Sequence, residues 1–134
     1  MEIKPINASD TWQIRHEVMW PDQPFEFVQL EEDNLGFHYG VFENDKLVSI
    51  VSCFINDDEM QFRKLATLPD YQGSGIASSL LNYIFNIARE KKLKRVWCNA
   101  RAEKKKFYEK FGMVVIGDAF TKAGQEFIIM QLVF

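Results

Sequence analysis

Gly73 and Gly75 lie in the run Gln72-Gly73-Ser74-Gly75-Ile76-Ala77, between two differently patterned segments. Before it, Met60–Leu68 is rich in strand-compatible residues and ends at Pro69. After it, apolar residues recur at 76, 77, 80, 81, 84, 87 and 88, the spacing of an amphipathic helix. A glycine turn that leads from a strand into a helix leaves several backbone N–H groups without helical partners. They sit at the positive end of the helix dipole. The chemistry this suits is anion binding, most naturally of a phosphate.

The residues around the glycines decide between kinds of phosphate loop. No lysine lies between Lys64 and Lys91, which excludes a Walker-type Gly-Lys-Ser/Thr start. A dinucleotide fingerprint fits poorly, because Ser78 stands where the third glycine belongs and no βαβ order opens the chain. The third reading fits: Gln72-x-x-Gly75-x-Ala77 after a strand resembles the R/Q-x-x-G-x-G/A acyl-CoA loop of the GNAT superfamily of N-acetyltransferases. Further on, Phe107-Tyr108-Glu109-Lys110-Phe111-Gly112-Met113 resembles that family's F-Y-x-x-x-G-F/Y/M segment. The resemblance covers roughly residues 36–134 and is looser before them. The spacing from Asn99 to Tyr108 and the run Ile14-Arg15-His16-Glu17-Val18 are similar to the ElaA-like branch.

The resemblance implies acetyl-CoA as co-substrate, with no metal. Its pyrophosphate would rest on Gln72, Gly73, Ser74, Gly75, Ile76, Ala77 and Ser78, mainly through backbone N–H groups. Leu65, Ala66, Thr67 and Leu68 would line the pantetheine arm, with main-chain bonds at Ala66 and Leu68. Asn99 and Phe107 join the implied cofactor contacts. Tyr108 is the implied catalytic residue, protonating the departing CoA thiolate; a phenol near pKa 10 can donate to a thiolate near 8.5 within hydrogen-bond reach. Many family members carry an asparagine seven residues before that tyrosine, where this chain has Arg101. Lys91, Lys92, Lys94 and Lys104–Lys106 are candidates for the nucleotide's 3′-phosphate, and equally a solvated face. The strand before the loop lacks the family's glutamate: it carries Arg63 and Lys64, and its one carboxylate is Glu59 at the start. Glu26, Glu31, Glu32, Asp33, His16, His38 or a water wire are the alternatives for a general base. The implied reaction is direct attack of a primary amine on acetyl-CoA in a ternary complex. The alternative is an acyl-CoA-binding module that senses without transferring.

Size and composition agree with one domain, residues 1–134. The 47% hydrophobic and 14% aromatic content supplies a core. No apolar run reaches ~20 residues, so no membrane span is expected. The start, Met1-Glu-Ile-Lys-Pro, does not read as a signal peptide, and Cys53 and Cys98 in apolar runs read as buried thiols, so a cytoplasmic location is expected. Two separated histidines and no C-x-x-C give no metal-ligand cluster. Net charge is −3, but residues 1–70 carry 5 basic and 14 acidic side chains, and residues 71–134 carry 11 and 5. The basic half suits an anionic cofactor, and the acidic half suits an amine acceptor, a small one before a protein amine. Phe25, Phe27, Trp20 and Phe37 suggest an aromatic part of the acceptor pocket, although most are expected in the core. The lysines form no base-reading helix, so nucleic acid is not expected. The alternating last strand allows a homodimer without requiring it.

These residues need a frame. Glu2–Ile6 reads as a strand, and Ser9-Asp10 as the cap of a helix to Met19 that Pro21 and Pro24 end. A three-stranded meander follows over 36–42, 46–55 and 59–68, turning at Asn44-Asp45 and Asn56–Asp58. A helix over 73–91, a strand over 95–99, a helix over 103–111, and strands over 113–117 and 126–133 complete the chain. The expected fold is α/β: a GNAT-like mixed, mostly antiparallel twisted sheet with helices on both faces.

Overall fold

The computed structural model describes residues 1–134. The chain divides into two compact units, Met1–Phe54 with Phe62–Asn86, and Ile55–Gln61 with Ile87–Phe134. It forms a mixed α/β fold with seven strands, mostly antiparallel.

The first unit holds β1 (Glu2–Ile6), β2 (Phe37–Glu43), β3 (Lys46–Asn56) and the greater part of β4 (Glu59–Thr67), hydrogen-bonded in that order. β1 therefore extends the expected meander to four strands, pairing antiparallel with β2 from Glu2↔Phe42 to Ile6↔His38. Asn44 and Asp45 both adopt positive φ, 51° and 66°, as a two-residue hairpin turn with the twist of its strands requires. Ile14, Ile50 and Ala66 form a buried cluster against which Ile6, Val18, Met19, Leu47 and Leu68 pack.

The N-terminal helix differs from expectation. It begins as a 3₁₀ turn at Ala8–Thr11, passes through one α turn (α1, Trp12–Ile14) and ends as a π turn over Arg15–Met19. Its cap is Asn7 rather than Ser9 or Asp10. Asp10 sits three residues in, where its carboxylate accepts the Asn7 N–H at 2.9 Å and so satisfies an otherwise orphaned donor. Two 3₁₀ turns, Phe25–Val28 and Glu31–Leu35, carry the chain to β2.

α2 spans Ile76–Glu90, and Ile76, Leu80, Leu81, Ile84, Phe85 and Ala88 are its buried stripe. The helix starts later than expected, since Gly73 and Gly75 shape the turn and do not lie in the helix.

The second unit holds the first residues of β4, then β5 (Arg95–Arg101), β7 (Gln125–Val133) and β6 (Val114–Lys122), hydrogen-bonded in that order. β4 and β5 run parallel over Glu59–Gln61 and Arg95–Trp97, while β7 is antiparallel to both β5 and β6. Val96, Cys98 and Ala100 are buried, and Trp97, Asn99 and Arg101 point to the other face of β5. A 3₁₀ turn at Ala102–Lys104 leads into α3, Lys105–Glu109. The expected helix is thus a short mixed one, stopped at Gly112, whose φ is +88°.

Candidate functional site

In the first unit the residues of interest begin where β4 leaves its regular course. By strand parity Lys64 belongs with the buried Met60, Phe62 and Ala66, yet it is basic and has φ 60°. A left-handed non-glycine residue inside a strand breaks the strand's regular conformation there. Beyond it Leu65 and Leu68 are half-buried, and Ala66 and Thr67 are buried.

The end of the strand is held firmly. The Ser49 hydroxyl donates to the Ala66 carbonyl at 3.0 Å and lies 2.8 Å from the Thr67 hydroxyl. The Leu68 N–H donates to the Val48 carbonyl at 2.9 Å. That N–H extends the β3–β4 ladder, so a main-chain contact of Leu68 with a pantetheine arm would not run through it.

Pro69–Tyr71 form a 3₁₀ turn, and the Gln72 side-chain amide donates back to the Thr67 carbonyl at 2.9 Å. Gly73 and Gly75 then take φ +79° and +84°. A Cβ at either would meet nothing within 4 Å, so these positions need glycine for backbone conformation, and the space beside them is open. The Ser74 hydroxyl donates to the Tyr71 carbonyl at 3.0 Å. The Ser79 N–H donates to the Gly75 carbonyl at 3.0 Å, which makes Gly75 the N-cap. The amides of Gly75, Ile76, Ala77 and Ser78 therefore precede the first N–H used in the helix. The Ile76 side chain is buried, so only its backbone can serve a ligand.

The acidic segment offers fewer bases than its sequence promises. Asp33 is buried and ion-paired with Arg15. Burial pushes its carboxyl pKa up, but Arg15, Trp12 and the Leu30 N–H outweigh that, and the net shift is downward. Glu32 is bonded to Arg63 and its pKa is lowered, through backbone hydrogen bonding first and then Arg63. His38 is buried, with Nδ1 2.8 Å from the Ser52 hydroxyl and Nε2 2.8 Å from the Asp33 carbonyl. A carbonyl only accepts, so Nε2 carries the proton and Nδ1 accepts from Ser52. Internal bonds occupy all three groups. Glu26 and Glu31 remain as carboxylates, along with His16, whose Nε2 lies 2.7 Å from the Gln23 carbonyl. Phe25, Phe27 and Phe37 are 42–48% exposed, against the expectation that most such aromatics are core. Edge-to-face contacts pair Phe25 with His16 at 5.6 Å and the half-buried Trp20 with Phe27 at 5.2 Å.

In the second unit, Asn99 is exposed on β5, opposite Ile129 of β7. Tyr108 and Phe107 sit in α3, half-buried, with rings edge to face at 5.2 Å. Burial, followed by the neighbouring Cys98, pushes the Tyr108 phenol well above its ordinary pKa, with Arg101 opposing. The phenol is therefore a proton donor throughout the neutral range. Glu59, the strand's one carboxylate, is bonded to Arg95 at 2.7 Å, which lowers its pKa and leaves it unsuited as a base. Lys91 and Lys92 follow the C-terminal end of α2 and are exposed. Lys94 is bridged to Asp58 at 3.1 Å, and Lys104–Lys106 are exposed. Cys53 and Cys98 are free thiols, both buried. No group of three or more His, Cys, Asp or Glu is arranged to hold a metal ion. No helix is long and apolar enough to cross a membrane.

Comparison with known proteins follows the same lines. A family model described as "Acetyltransferase (GNAT) family" matches residues 7–113. A Bacillus subtilis (strain 168) protein, "Uncharacterized N-acetyltransferase YitI", is 32% identical over 133 residues, covering 92% of this chain and 89% of that one. The crystal structure of Escherichia coli ElaA superposes with TM-score 0.79 at 19% identity, covering 97% of each chain. A GNAT family acetyltransferase from Elizabethkingia anophelis, with acetyl-CoA bound, superposes with TM-score 0.80 at 15% identity, covering 99% of this chain and 97% of that one.

Proposed function

The chain belongs to the GNAT acetyltransferase family and is an acyl-CoA-dependent N-acetyltransferase, and from that premise we propose that it transfers acetyl from acetyl-CoA to a primary amine by direct attack in a ternary complex. The observation that carries the cofactor side is the open left-handed turn at Gly73 and Gly75, which delivers four consecutive amides at the start of α2. Backbone donors at a helix N-terminus suit a pyrophosphate without any lysine.

In this reading residues 1–134 act as one catalytic domain. The main chain of Leu65–Leu68 lines the pantetheine arm, and Asn99 and Phe107 complete the cofactor contacts. As the amine attacks, the thioester C–S bond breaks and Tyr108 gives its proton to the departing thiolate. Protonating the leaving group makes collapse of the tetrahedral species productive. The amine's own proton goes to Glu26, Glu31, His16 through its Nδ1, or a water chain. The acceptor is a small amine, drawn by the acidic segment, which has no Lys or Arg between Arg15 and Lys46. The exposed Phe25, Phe27 and Phe37 give that acceptor an apolar surface. The location in this reading is cytoplasmic.

Calorimetric titration with acetyl-CoA, with ATP and NAD as controls, tests the cofactor assignment. Binding of acetyl-CoA alone supports it and leads to a screen of amines for CoA release. No heat at any of several temperatures would return the glycine turn to a structural role.

A further inference from the structure

The chain carries Gln72 where the phosphate loop of its family more often has arginine, and the structure shows this side chain bonded inward. Its amide N–H donates to the Thr67 carbonyl at 2.9 Å, while its backbone N–H donates to the Pro69 carbonyl at 3.2 Å. The Tyr71 N–H donates to the Leu68 carbonyl at 2.9 Å. Residues 67–72 are thus drawn into a closed loop, with Gln72 fastened to the strand end just before the left-handed Gly73.

The far side of that loop is fastened as well. Ser49 is completely buried, and its one hydroxyl proton goes to the Ala66 carbonyl. The 2.8 Å contact with Thr67 must then run the other way, with the Thr67 hydroxyl donating to Ser49. Thr67 is held from β3 through its side chain and from Gln72 through its carbonyl. A residue fixed on two sides is a rigid joint between the end of β4 and the start of α2.

We propose that Ser49, Thr67 and Gln72 are positioning residues that fix the separation of two half-sites for acyl-CoA, the strand end for the pantetheine arm and the helix start for the pyrophosphate. This deepens the acyl-CoA reading above and rests on it. Two half-sites held at the right spacing bind a linked ligand far more tightly than either fragment alone, because the second contact becomes intramolecular. Loosening the joint lowers that gain and leaves each half-site intact. A Gln72 that touched phosphate directly would behave differently, because its loss would weaken the nucleotide fragment too.

The test compares Gln72→Ala and Thr67→Val with the wild type for three ligands: acetyl-CoA, acetyl-pantetheine and adenosine 3′,5′-bisphosphate. Gln72 is exposed, so its truncation leaves the melting temperature nearly unchanged. Gln72→Ala is expected to weaken acetyl-CoA by about tenfold, the scale of one lost neutral hydrogen bond at a rigid joint. Both fragments are expected to bind as in the wild type. Gln72→Arg, which keeps a donor, is expected to restore most of the affinity. Thr67→Val combined with Gln72→Ala is expected to lose less than the sum of the two, since both act on one joint. Equal weakening of the bisphosphate, or unchanged acetyl-CoA binding in Gln72→Ala, would overturn the inference. A wild type that binds no acetyl-CoA would instead overturn the cofactor reading and this inference with it.

Discussion

Arg15 and Asp33 meet in a two-bond ion pair, Nη1 to Oδ2 at 2.8 Å and Nη2 to Oδ1 at 3.0 Å, with 0% and 2% of the two residues exposed. The pair has company on every side. Trp12 Nε1 donates to the same Asp33 oxygen at 3.0 Å, as does the Leu30 N–H. Arg15 also donates to the Val28 carbonyl at 2.8 Å and to the Ser52 hydroxyl at 2.7 Å. One buried cation thereby ties the π turn, both following 3₁₀ turns and β3 together.

Removing one partner strands the other. Asp33→Ala is expected to destabilise the protein by about 3–5 kcal/mol, because a buried guanidinium is left uncompensated. The double variant Arg15→Met with Asp33→Leu is expected to recover most of that loss, since an apolar pair of similar volume needs no desolvation of charge. Denaturant midpoints measured at constant slope check both. A double variant as unstable as Asp33→Ala would show that the network does more than neutralise itself.

The same pairings set the acid limit of stability. Asp33, Glu32 and Glu59 all have folded pKa values below their ordinary ones, 3.8 for Asp and 4.5 for Glu. A lowered folded value means that the unfolded chain takes up the proton first as pH falls. Their contribution is complete above the ordinary carboxylate range and is lost as pH falls through the lowered folded values. Stability measured from pH 7 to 3 should be flat and then fall, and Asp33→Asn should flatten the acid side. A decline already evident between pH 7 and 6 would point to another group.

Replacing Tyr108 with Phe separates transfer from binding. The ring is half-buried and its contact with Phe107 survives, so the fold is expected to hold. Turnover is expected to fall by about 10²–10⁴-fold, the usual worth of a positioned acid, with acetyl-CoA affinity little changed. Because the phenol titrates above its ordinary value, its ionisation should not depress the wild-type rate below about pH 10. A variant with wild-type turnover would remove Tyr108 from the reaction.

The buried thiols allow a simple check of the core. Cys98 is pushed up to about 12 by desolvation, and Cys53 higher still for the same reason. The thiolate is the reactive form, and both groups are shielded as well. Native protein should therefore resist a thiol reagent, and both cysteines should react once denaturant unfolds the chain. Rapid labelling of either thiol in the native state would contradict the burial.

Much of this was legible in the chain because it is local. The α2 stripe, the turn at Asn44-Asp45 and the strands all follow from periodicity and turn chemistry. The glycine turn, too, was visible from residue type. What escaped is long-range pairing. Nothing near Ser49 in sequence points to Thr67, and nothing near Glu59 points to Arg95. The acidic residues looked available because their partners lie far along the chain. Two signals could have warned of this: Arg15 is the one Lys or Arg between Lys4 and Lys46, and Lys64 occupies an inward strand position. A lone cation amid acids invites a buried pair, and a lysine on the inward parity invites a break in the strand's regular conformation.

Gly75 offers the sharpest separation of fold from ligand binding. Its φ of +84° disfavours any side chain, yet a Cβ there would meet nothing within 4 Å. Gly75→Ala therefore strains the backbone by about 1–2 kcal/mol without a clash. That strain lowers the melting temperature by a few degrees and leaves the sheet intact. The methyl group would, however, occupy the space that a pyrophosphate needs to reach the amides of Ile76 and Ala77. Acetyl-CoA affinity should fall far more than stability does, by about 100-fold or more, as expected when several charge-assisted hydrogen bonds are lost together. Calorimetry beside a thermal melt of the same sample reads both. Undiminished affinity in a folded Gly75→Ala would place the phosphates elsewhere on the protein, and the helix start would then be only a turn.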